Sequence, residues 1–147
     1  MVAHQSSRRR DSPTMFLHLL EKDEKTTFLA FAKYLAKVDD KVITEKERFM
    51  LHYMATEMGL DAEEVIGDSY SDEQTVLVFH RDIAKRVLIL EGVGIAFASG
   101  EVEPQQKAFL DDFAKRLMLP ADFVAKATAI VEKQLGLMEE MNSLVGH

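Results

Sequence analysis

The residues best suited to chemistry lie in one short stretch, Asp39-Asp40-Lys41-Val42-Ile43-Thr44-Glu45-Lys46-Glu47. Two adjacent carboxylates end one apolar-periodic segment, and Glu47 stands at the opening of the next. Carboxylate oxygens are the ligands a hard divalent cation takes, so all three could be ligands. Each also has a plain structural use. Asp39 and Asp40 can support a turn. Thr44-x-x-Glu47 is a capping box, in which the threonine hydroxyl accepts from one helix N–H and the glutamate reaches back to another. The stretch also echoes the end of an EF-hand loop. Placing Ile43 in that loop's hydrophobic position, however, puts Ala36 and Val38 where the first two oxygen ligands belong, and Lys41 where the turn glycine belongs. The EF-hand reading fails.

The rest of the chain narrows the chemistry further. There is no cysteine, which removes disulfides, thiolate zinc sites and cysteine nucleophiles together. A metal site must therefore use carboxylates, histidines and carbonyls. His18, His52 and His80 fall in separate segments with no H-E-x-x-H pair. Met50, Met54 and Met58, four apart, read as core filling. Gly92 and Gly94 lie inside an apolar segment and read as points of close helix approach. With no nucleophile elbow or phosphate loop, an enzyme is not expected.

These residues must be positioned by helices. Ser12-Pro13 opens a short helix through Met15, Phe16, Leu19 and Leu20, and Asp23 caps the next. Phe28, Phe31, Ala32, Leu35 and Val38 recur at threes and fours, the signature of one buried helical stripe. The helix opened by Thr44 buries Met50, Leu51, Met54, Ala55 and Met58 and ends at Gly59. Asp61 and Glu64 cap a short helix to about Gly67, residues 68–72 form a loop, and Ser71 caps the following helix. Thr75 to Ala98 reads as buried helix in spite of its β-branched runs, because Arg81, Asp82, Lys85, Arg86 and Glu91 fall at helical intervals. A last segment runs through Ala127, Ile130, Val131, Leu135, Leu137 and Met141, with Gly136 as a break.

An offset of 59 residues aligns the two halves without a gap. Val38 meets Phe97, Ile43 meets Val102, Arg48 meets Lys107 and Met50 meets Phe109. Leu51, Ala55, Leu60, Ala62 and Val65 meet identical residues at Leu110, Ala114, Leu119, Ala121 and Val124. The expectation is an all-α domain over 13–147 built from two pseudo-symmetric helical hairpins, about 28–65 and 87–124, sharing one core.

The 147 residues suffice for one such core, and 47% are apolar, yet no run approaches the ~18 residues of a membrane span. No signal-peptide pattern opens the chain, so the expected compartment is the cytoplasm. Net charge is −7; three arginines against one aspartate leave +2 in residues 1–12, a basic arm expected to be disordered, and −9 elsewhere. An acidic body repels phosphate backbones, so nucleic acid is not an expected partner.

At the hairpin turns stand Asp40-Lys-Val-Ile43-Thr-Glu-Lys-Glu47 and Ser99-Gly100-Glu-Val102-Glu-Pro-Gln-Gln106. Both resemble the D-G-x-I-x-x-x-E box of TerB-like domains, found in tellurite-resistance TerB and at the N-terminus of membrane-anchored DnaJ-type co-chaperones. An alanine-rich helix before the box and a helix ending Met58-Gly59-Leu60 agree. The resemblance covers about residues 26–135 and implies a compact bundle of about seven helices. It also implies a non-enzymatic binding or adaptor role in tellurite or general stress responses, with protein partners. Metal binding through the box carboxylates would fall to Asp40 and Glu47, with Asp39 adjacent, holding one divalent cation (Ca, Mg, Mn or Zn). Lys41 replaces the first box's glycine, and Ser99 and Gln106 replace the second box's acidic pair. The alternatives are a purely structural interaction domain without metal and an all-α enzyme with a dispersed site.

Overall fold

A computed structural model describes residues 16–38, 43–61, 70–98 and 100–146. The described residues are helical with no strand: a 3-10 turn at Leu17–Leu19, then α1 Lys22–Lys37, α2 Glu45–Glu57, α3 Asp72–Val78, α4 Asp82–Ala96, α5 Pro104–Arg116 and α6 Phe123–Val145. The expected arm of residues 1–12, the helix start at Ser12-Pro13 and the short helix near 61–67 lie largely outside the described residues.

α4 is the central element. Ala84, Val87, Leu88, Ile89, Glu91, Gly92, Val93, Ile95 and Ala96 are all buried, so little of its circumference is left for water. It packs against α1, α5, α6 and the 3-10 turn, while α1 packs against α2, α3 and α5. The α1 stripe is as expected: Phe28, Phe31, Ala32 and Leu35 are fully buried, and Val38 is packed at the edge. Phe31 lies 5.3 Å from Phe113 in an edge-on contact and 5.6 Å from Phe109, so rings on α1 and α5 meet. A Cβ at Gly92 would meet Leu110 Cδ2 at 3.1 Å and Phe31 Cε2 at 3.3 Å, so this glycine permits the close packing of α1, α4 and α5. Gly94 has no such neighbour, so the expected close approach belongs to Gly92 alone.

Three expectations are corrected. α1 starts at Glu21, not Asp23: Glu24 Oε1 accepts from the Glu21 N–H at 2.7 Å, and Asp23 lies within the first turn. The stretch from Thr75 to Ala98 is two helices. Phe79 (φ −90, ψ 69) makes a tight turn in which the His80 N–H bonds the Val78 carbonyl at 3.1 Å. The turn buries Phe79 completely and lets Arg81 reach across to α1. Gly136 does not break α6, which runs on to a left-handed Gly146 at φ +80. A single glycine in a helix costs only about 1 kcal/mol, less than a break requires to be favoured.

α2 and α5 begin and end 59 residues apart at both termini. Thr44 and Glu103 are their N-caps, each with a complete capping box. Both C-termini close with the same pair of bonds: Leu60 N to Ala55 O at 2.8 Å and Gly59 N to Thr56 O at 3.1 Å, against Leu119 N to Ala114 O at 3.0 Å and Met118 N to Lys115 O at 2.9 Å. This is the Schellman arrangement. Ala55/Ala114 and Leu60/Leu119, identical at the 59-residue offset, stand at the two ends of its outer bond.

Candidate functional site

Of the three carboxylates singled out as metal ligands, Asp39 and Asp40 lie outside the described residues. Glu47 is described, and it is buried at 4% exposure. Its Oε1 accepts from the Thr44 N–H at 2.9 Å, while Thr44 Oγ1 accepts from the Glu47 N–H at 3.1 Å. One oxygen is therefore committed to the cap, leaving Oε2 as the oxygen a cation would have to use.

The matching side chain, Gln106, is buried at 1%. Its Oε1 accepts from the Glu103 N–H at 3.2 Å, and its Nε2 donates to the Leu35 carbonyl at the end of α1 at 3.4 Å. An amide can cap and donate at once; a carboxylate can only accept. The second box thus ties α5 to α1 through a bond that a glutamate could not make. The first residue of this box, Ser99, lies outside the described residues, and Gly100 has φ +116, which only glycine adopts freely.

The remaining buried polar side chains do similar work. Glu24 accepts from Arg81 Nε at 2.9 Å through Oε2 and from Arg81 Nη2 through Oε1, and the same Nη2 donates to the Leu19 carbonyl at 3.1 Å. The forked guanidinium holds the Glu24 carboxyl below the usual range, against the opposing pull of burial. Glu91 accepts from the Phe16 N–H at 2.8 Å, pinning the start of the described chain to α4. Thr75 donates to the Ser71 carbonyl at 2.8 Å.

The open concavities among the described residues include a cleft and a groove. A cleft of about 480 Å³ is lined by Tyr34 of α1, Tyr70 to Glu73, and Arg116 of α5. Tyr34 and Tyr70 stack at 4.5 Å, and Arg116 Nη1 lies 3.9 Å from Asp72 Oδ2. Burial pushes the Tyr70 hydroxyl well up, and the nearby Asp72 carboxylate adds to it, so this phenol stays protonated. A second groove, of about 580 Å³, runs along α2 beside Phe49, His52 and Tyr53. Phe49 is 71% exposed there. His18, His52 and His80 do not converge, and the described residues contain no group of three metal-ligating side chains.

The tyrosine cleft was not legible in the sequence, where Tyr70 was only a loop residue and Tyr34 and Arg116 carried no pattern. No protein-family model, curated protein or solved structure matches this chain. No described helix is long and apolar enough to cross a membrane.

Proposed function

We propose that this chain is a TerB-like binding or adaptor module, made of two copies of one helical hairpin, that acts through its surface and not through buried catalytic groups. One observation carries the reading. Among the described residues, the buried polar side chains Glu24, Glu47, Thr75, Glu91 and Gln106 each bond a backbone group of the chain itself. Their chemistry is committed to caps and clamps, which leaves recognition to the exposed clefts. The recurrence of cap, length and terminal turn in α2 and α5 supports the two-copy, TerB-like architecture. A role in tellurite or general stress responses, in the cytoplasm and with protein partners, follows from the same resemblance.

Within this reading, one divalent cation sits at the first turn on Asp39, Asp40 and Glu47, because only this box keeps its carboxylates. The metal-free interaction domain is favoured by the cap itself, since Gln106 does the same work as Glu47 without charge. Calorimetric titration with Ca²⁺, Mg²⁺, Mn²⁺ and Zn²⁺ separates them. A cation that binds wild type and raises its melting temperature, but does neither for Glu47→Gln, supports the cation site. A melting temperature indifferent to all four cations leaves the metal-free domain. Turnover of a substrate that is lost in Glu91→Gln, in a variant that melts like wild type, would overturn the module reading.

A further inference from the structure

α6 presents two apolar stripes, and the fold uses one. Val124, Ala127 and Val131 enter the core at 3%, 5% and 8% exposure. Beside them Ile130, Leu137, Met141 and Leu144 stand at 61%, 57%, 58% and 87% exposure. Their spacing is that of a coiled-coil seam: Ile130, Leu137 and Leu144 repeat every seven residues, and Met141 falls between the last two at the alternate position, with the half-buried Gln134 at its counterpart one heptad earlier.

We propose that this seam is the interface of a homodimer, in which α6 pairs antiparallel with α6 of a second copy. The flanking charges choose the occupant and the direction. Lys133 and Glu140 lie on the same flank of the seam, one heptad apart, whereas the opposite flank carries Met138 and Val145, with Val131 beside them turned into the core. In a parallel pair each flank faces the partner's other flank, so both charges would lie against apolar side chains. In an antiparallel pair like flanks meet. Setting Ile130 over the partner's Met141 then brings Lys133 opposite the partner's Glu140, and the two-fold axis makes the same pair a second time. The surface is complementary to itself in charge and in apolar spacing. One helix pair over about two heptads is a small interface, under about 1,200 Å², the size class of weak and reversible association.

The test is sedimentation velocity on the full chain over a concentration series, with four variants. Wild type is expected to pass from monomer to dimer as concentration rises. Leu137→Glu, at an exposed position, should remain monomeric with an unchanged melting temperature at low concentration. Lys133→Glu and Glu140→Lys each bring like charges together twice and should weaken the dimer about tenfold, and the double reversal should restore it. Wild type that stays monomeric throughout overturns the proposal, as it would if another protein or the chain's own first residues covered the seam. A dimer that survives Leu137→Glu overturns it as well. A dimer that ignores both single reversals overturns the antiparallel pairing.

Discussion

The left-handed residue of the Schellman turn differs between the ends of α2 and α5. After α2 it is Gly59 at φ +74; after α5 it is Met118 at φ +62, with its side chain 87% exposed. A left-handed backbone suits glycine and strains methionine. The turn is nonetheless the same, because an Ala–Leu bond closes it in both places, and α5 is further held by its packing on α4. A second difference runs the other way. Glu47 and Gln106 share a burial and a capping role, but only Gln106 donates to another helix, α1. The geometry of the cap is what α2 and α5 both keep, and charge is what separates them.

The most damaging way to probe this difference is to make the second box resemble the first. Gln106→Glu replaces a buried donor with a carboxylate facing the Leu35 carbonyl, and should cost about 2–3 kcal/mol in a urea titration at neutral pH. A variant as stable as wild type would mean that the bond to α1 contributes nothing.

The clamp between the starts of α1 and α4 gives the next effect, and it depends on pH. Arg81, the N-cap residue of α4, uses its side chain on Glu24 of α1. The folded carboxyl of Glu24 is depressed, so below its unfolded value the unfolded chain binds the extra proton and stability falls as pH falls. The contribution is complete above about pH 5 and fades as pH drops through the folded value. Glu24→Gln should lower the melting temperature at pH 7 by several degrees and flatten the acid limb of a melting-temperature profile. An unchanged limb would place the acid sensitivity elsewhere.

Smaller and opposite in sign are the turn substitutions. Gly59→Ala should lose about 1 kcal/mol by forcing a Cβ into the left-handed region. Met118→Gly should gain about 0.5 kcal/mol, the relief of strain exceeding glycine's greater unfolded freedom. Paired chemical denaturation would show it, and a loss at both sites would mean that Met118 holds the turn through its side chain. Smallest is Glu47→Gln in metal-free buffer. The amide keeps the cap and loses only the charge at a helix N-terminus, about 0.3–1 kcal/mol by differential calorimetry.

Much of this fold could be read from the sequence because its signals are local. Thr44 caps through Glu47, Ser71 through Gln74, and Glu103 through Gln106, each within one helical turn. The apolar spacing of α1 and of the first part of α6 likewise names the face that is buried. The candidate site was legible only in part: Glu47 is the cap residue that the box predicts, while the Tyr34–Tyr70–Arg116 cleft joins residues with no mutual spacing. What tertiary structure alone decided depends on partners far apart in the chain. Glu24 and Arg81 are 57 residues apart, Leu35 and Gln106 are 71 apart, and Phe16 and Glu91 are 75 apart. The first of these pairs follows the turn at Phe79, which the helical pattern of residues 75–98 did not show. A propensity or a cap, such as the Glu21–Glu24 box, is set by neighbours within four residues, whereas such pairs form only once α4 is buried at the centre with α1 and α5 packed beside it.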